Sequence, residues 1–104
     1  MIRLTVLYNL PAGADEAEYL AWRRANHADY VNGMPGVLRS DFARVESISP
    51  SSSVPAYRFQ TTVDWPDYDS YAAAFLNEQA QADLRKNLER LGDYLFVVSE
   101  ILND

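Results

Sequence analysis

The chain has 104 residues, 48% of them hydrophobic, with nine Lys and Arg against fifteen Asp and Glu for a net charge of −6. This describes one globular domain, 1–104, long enough for a single core, and its acidity argues against nucleic acid or an anionic membrane as partner. Without cysteine there is no disulfide or thiolate metal site, and without a signal-peptide pattern or a run near the ~20 apolar residues of a membrane span the expected location is the cytoplasm.

Ile2 to Tyr8 is a short β-rich run in which Arg3 and Thr5 alternate with Leu4 and Val6. Pro11 and Gly13 break it, and Asp15 with Glu18 three residues on reads as a capping box opening a helix from about Glu16 to about Asn32. Ala17, Ala21, Ala25 and Ala28 form its small-residue back. Tyr19, Trp22, Arg23, Asn26, His27 and Tyr30 share its other face, because positions three and four apart are neighbours on a helix. Gly33, Pro35 and Gly36 stop the helix. A second strand is expected over Val37 to Ser47, then a mobile hairpin loop over the Ser/Pro-rich Ser49 to Pro55.

Tyr57 to Trp65 alternates cleanly, Tyr57, Phe59, Thr61, Val63 and Trp65 against Arg58, Gln60, Thr62 and Asp64, and is a third strand. After Pro66, with Asp67 or Asp69 as cap, Tyr68, Tyr71, Ala72, Phe75 and Leu76 sit at helical spacing. A break is expected between Asn77 and Gln81, then a helical piece with Leu84, Leu88 and Leu91, closed by Gly92. The last strand, Tyr94 to Leu102, is apolar on both sides apart from Ser99 and Glu100, as when both faces are covered.

The order β-α-β-β-α-β is the split βαβ arrangement of a ferredoxin-like α+β sandwich. Both helical segments then lie on one face of a four-stranded antiparallel sheet. The other face is expected to present Leu, Phe, Val and Tyr residues that a second copy of the chain would cover, giving a homodimer.

The opening MIRLTVLYNLP, the helix carrying NHADYV and the following MPGVLRSDFARV resemble the EthD domain of the dimeric α/β-barrel superfamily. The resemblance rests on His27-Ala28 late in the first helix, the turn Pro35-Gly36-Val37-Leu38 and the strand residues Arg44-Val45, and it spans nearly the whole chain. Asp29 and Tyr30 stand where the family often has proline and leucine, which implies a more polar, hydroxyl-lined pocket. Membership implies a homodimer whose sheets close into a barrel, with a cleft between each sheet and its helices. It does not imply one reaction: relatives include polyketide cyclases, cofactor-free monooxygenases, lactone isomerases, haem enzymes and proteins without known activity.

His27, the sole histidine, is the leading acid/base candidate because an imidazole titrates near neutrality; the plainer account is a histidine bridging helix and sheet by hydrogen bonds. Tyr8, Tyr30, Tyr57 and Tyr71 are candidate donors to a carbonyl or enolate oxygen, or packed tyrosines with one polar end exposed. Trp22 and Trp65 are candidate walls for a planar ligand, or core. Asn26 shares the His27 face, and Arg44 near Asp41 is suited to orient a carboxylate or to form a surface ion pair. Taken with the resemblance, these residues imply a small aromatic or polyketide-like ligand and cofactor-independent proton transfer, namely cyclisation, isomerisation or dehydration. Asn9 and Trp65 raise the alternative of a cofactor-free monooxygenase, and a non-catalytic ligand-binding accessory protein is the third. One histidine without cysteine gives little basis for haem or zinc, so no cofactor is expected.

Overall fold

The computed structural model describes residues 1–48 and 55–103, and the side chains of all of these except 27–32. The loop expected at Ser49 to Pro55 therefore falls almost entirely outside the described residues. The elements follow as β1 (Ile2–Tyr8), α1 (Glu16–Asn32), β2 (Arg39–Arg44), β3 (Phe59–Trp65), α2 (Tyr68–Phe75), α3 (Glu78–Leu88) and β4 (Tyr94–Glu100). The strands form one antiparallel sheet in the order β2-β3-β1-β4. This is the ferredoxin-like α+β fold expected from the sequence.

Local chemistry sets the helix ends. The amide of Glu18 donates to the Asp15 carboxylate (3.1 Å), and that of Ser70 to the Asp67 carboxylate (2.8 Å), each satisfying a donor left over in a first turn. The break expected between Asn77 and Gln81 lies at Leu76–Asn77, and α3 begins at Glu78 within the polar run. Asn77 accepts from the Ala80 amide (2.8 Å) while its own amide donates back to Ala73 O (2.9 Å), so one side chain ends α2 and begins α3. At the other end of α1, Gly36 takes a φ of +76° that favours glycine, where the chain turns from Met34 towards β2.

β2 is shorter than the Val37 to Ser47 expected, and β3 begins at Phe59 rather than Tyr57. β2 is an edge strand with β3 as its partner, and their ladder ends at Arg44 opposite Phe59. Single backbone bonds, Leu38 N to Asp64 O and Val45 N to Arg58 O (both 2.8 Å), extend it by one residue on each side.

The inner face of the sheet is read from the register. Leu4 lies between Val63 and Val98, Val6 between Thr61 and Phe96, and Tyr8 between Phe59 and Tyr94. Leu4, Val63 and Trp65 pack with Tyr71, Ala74 and Phe75 of α2 to form the core. Trp65 is wholly buried, and its indole N–H donates to Pro35 O (3.0 Å), tying the turn after α1 to the sheet.

The outer face departs from expectation. The alternation that puts Tyr8, Phe42, Phe59 and Tyr94 on the helix side leaves Thr5, Thr62, Gln60 and Asp41 outside, with a bidentate Arg3–Asp64 pair (2.8 and 2.9 Å) across β1 and β3. Apolar side chains on the outer face of the four strands are Leu7, Leu95 and Val97, with the small Ala43 on β2. Nor is β4 covered on both sides among the described residues: Tyr94, Leu95, Val97 and Val98 are between 41% and 47% exposed at this second edge, while Phe96 packs inward against Phe75 of α2.

Gly92 seats the chain between α3 and β4. Its amide donates to Asn9 O (2.7 Å), and a Cβ built there would meet Leu10 O at 2.8 Å. Gly92→Ala should lower unfolding stability by about 1–3 kcal/mol in a denaturant titration; an unchanged midpoint would show that the loop after β1 yields freely.

Candidate functional site

Between the sheet and the helices α1 and α3 lies a cleft with about 720 Å³ of empty space, a figure that includes its open mouth. Its floor is the inner sheet face, with Leu4, Val6, Val63, Trp65 and Phe96, and α3 and its following turn close one side with Leu84, Leu88 and Leu91. α1 supplies Tyr19, Trp22 and Arg23 to the other. Those positions are three and four apart, which is why one helix face delivers them together while Ala17, Ala21 and Ala25 stay exposed.

The polar groups gather where α1 meets β1 and β3. The Tyr8 and Tyr19 hydroxyls are 2.8 Å apart, and their rings meet edge to face at 6.2 Å. Arg23, 6% exposed, donates from Nη2 to Thr61 Oγ1 (3.1 Å), and its guanidinium lies 3.8 Å from the centre of the Phe42 ring. Phe42 in turn stacks on Tyr8 and Phe59. At the mouth, Arg90 covers the Trp22 ring at 4.2 Å. Burial pushes the Tyr8 hydroxyl far above the ordinary tyrosine range, its bond with Tyr19 adds to this, and the charge of Arg23 works the other way. Tyr8 is therefore a neutral hydrogen-bond donor and not a base at ordinary pH.

Of the residues named from sequence, Tyr8, Trp22 and Trp65 line the cleft. His27 and Tyr30 lie in the last turns of α1, and their side chains fall outside the described residues. Asn26 is exposed, its amide turned back on Trp22 O (2.9 Å). Arg44 does not pair with Asp41, which takes Arg39 instead (2.9 Å); it sits on the surface beside Glu16 (3.7 Å), which Arg58 also binds (2.8 Å). Tyr57 precedes β3 and is outside the lining, and Tyr71 is core, edge-on to Trp65 at 5.3 Å. Asn9 is a loop fastener, bonded to Ala56 O and the Arg58 amide (both 2.8 Å). Sequence reasoning did not single out Tyr19, Arg23 and Thr61. The signal for the first two was their place in one row with His27; Thr61 gave none before the register was known.

The fold is a ferredoxin-like α+β sandwich with an apolar cleft under its helices, hydroxyl-lined at one end. The chain belongs to the family of the REDY-like protein HapK, whose model matches residues 2–103. No curated protein matches the chain in sequence. Among solved structures, an EthD family protein of Bacillus halodurans is 17% identical with a TM-score of 0.78, covering 98% of this chain and 99% of its own. The EthD resemblance drawn from sequence is borne out at superfamily level. The hydroxynitrile lyase of Passiflora edulis is 8% identical with a TM-score of 0.79 (99% and 94%). A variant of SnoaB, a cofactor-independent oxygenase from Streptomyces nogalater, is 14% identical with a TM-score of 0.69 (99% and 94%). At these identities the likeness is one of fold.

The raised Tyr8 value has a consequence for stability. The unfolded chain releases this proton near pH 10.0 and the folded chain holds it longer, so the stabilisation is full below pH 10 and lost as pH rises beyond it. Tyr8→Phe should cost about 1 kcal/mol at neutral pH through the lost hydrogen bond and flatten the decline in stability above pH 10. An alkaline decline as steep in the variant would contradict the assignment.

Proposed function

We propose that the protein binds a small aromatic or polyketide-like carbonyl compound in this cleft and moves a proton on it without a cofactor, in a cyclisation, isomerisation or dehydration. The observation that carries this reading is the Tyr8 hydroxyl held 2.8 Å from that of Tyr19 at the polar end of an apolar cleft. A carbonyl oxygen placed there receives a hydrogen bond that strengthens as a neighbouring C–H loses its proton and the electron pair moves onto the oxygen. His27 is assigned as the base that takes the proton and returns it. Its backbone position on α1 is four residues beyond Arg23 and eight beyond Tyr19, the row of the helix from which the cleft is lined. Tyr30 is assigned a supporting hydroxyl, and Trp22 and Trp65 the walls against a planar ligand. Asn26, Arg44, Tyr57 and Tyr71 have no part in this site.

The family relationship supports a small-molecule role, and two fold neighbours named as enzymes, a lyase and a cofactor-independent oxygenase, are consistent with catalysis. An oxygenase using Asn9 and Trp65 together is less well supported, since Asn9 is bonded into a loop outside the lining. The unit is proposed to be a homodimer that covers Leu7, Leu95 and Val97; a stable monomer in sedimentation at micromolar protein would contradict this.

The activity is tested by the exchange of the α-hydrogens of 2-tetralone for deuterium, followed by NMR. The protein should accelerate exchange over buffer, and His27→Ala should remove a factor of about 10²–10⁴ while leaving ligand binding intact. Binding without acceleration would point to an accessory protein. Equal rates in wild type and variant would remove His27 from the chemistry.

A further inference from the structure

The lining of the cleft carries two guanidinium groups, Arg23 and Arg90, and no Asp or Glu among the described residues, in a chain whose net charge is −6. The two cations differ. Arg90 is exposed at the mouth, whereas Arg23 is buried against the sheet. The ion-paired arginines among the described residues (Arg3, Arg39, Arg44 and Arg58) each have a carboxylate, whereas Arg23 has the neutral Thr61 hydroxyl and the face of Phe42. No fully buried side-chain nitrogen or oxygen among the described residues lacks a partner, so any guanidinium nitrogen of Arg23 without a partner keeps some exposure, and Arg23 lines the cleft. A buried cation with no counter-charge among the described residues is costly, and an anion supplied with the ligand relieves that cost.

We propose that the ligand of this protein is an aromatic acid, whose carboxylate is held by Arg23 and the adjoining hydroxyls of Thr61, Tyr8 and Tyr19. The inference rests on the cleft being the ligand site and deepens that reading by naming the ligand class. A carboxylate suits the site better than a phosphate. The planar guanidinium fork matches a planar anion, and Arg23 is the one buried cation among the described residues of the lining. The hydrophobic body of the acid lies along Trp22, Trp65 and Phe96, and Arg90 over Trp22 closes the entrance.

The test uses 2-naphthoate and its neutral counterpart 2-naphthamide, titrated into the full chain by isothermal calorimetry. Naphthoate should bind at least tenfold more tightly than naphthamide. Arg23→Gln should abolish that preference by weakening naphthoate alone, Arg23→Lys should keep part of it, and Arg24→Gln, on the exposed neighbour, should leave it intact. Equal binding of the two compounds by the wild type, no naphthoate binding at millimolar concentration, or an equal loss of both in Arg23→Gln would each overturn the proposal; the first two outcomes hold even if the variants do not fold. The readout is independent of turnover. A naphthoate preference that survives in His27→Ala supports the aromatic acid whether or not tetralone exchange is catalysed, and exchange without a naphthoate preference refutes the acid while sparing the proton-transfer reading.

Discussion

The site depends on one buried guanidinium. Arg23 reaches from α1 across to Thr61 on β3 and lies flat over Phe42 on β2, so that a single side chain fixes the distance between the helix and two strands. The stacked rings of Phe42, Tyr8 and Phe59 beneath it are apolar enough to exclude water and electron-rich enough on their faces to favour the cation. The same arrangement brings Tyr19, one turn earlier on α1, to the end of β1, where its hydroxyl meets that of Tyr8. Polar and apolar halves of the cleft thus arise from one helix row meeting one sheet face.

Much of the fold was legible because the inner sheet face obeys a strict alternation. Phe59, Thr61, Val63 and Trp65 all point to the helices, as their spacing predicts, and the aromatic spacing from Tyr68 to Phe75 marks α2. Element ends were harder to read where the deciding interaction is not periodic. Asn77 does break the helix, but only its bonds to Ala73 O and the Ala80 amide show how short the break is, and the length of β2 is set by its edge position, which only the strand order reveals. The outer face was misjudged because apolar content along a strand does not say which side holds it. Once the register places Leu4, Val6 and Tyr8 inward, the Arg3–Asp64 pair and the threonines are what remains outside.

The site was legible in part. Trp22, Tyr8 and Trp65 were visible as large aromatics near the right elements. Arg23 was visible only as a member of a helix face, since an Arg-Arg pair at 23 and 24 in an Ala-rich helix looks like solvated surface. Its burial follows from Phe42 and Thr61 being neighbours across β2 and β3, a tertiary fact. Conversely, Arg44 and Tyr57 drew attention by residue type, but the first is held by Glu16 on the surface and the second precedes the strand. Residue type proposes a site; register and burial decide which of its members meet.

The central claim is that this cleft, rather than the exposed β4 edge, receives the small molecule. It is tested most directly by following the backbone amide and indole N–H signals of the protein by NMR while a soluble aromatic carbonyl compound is added. The account predicts that the indole signals of Trp22 and Trp65 and the amides of Tyr8, Tyr19 and Thr61 shift together and saturate at one ligand per chain. Shifts confined to Leu95, Val97 and Val98, with both indole signals unmoved, would contradict it.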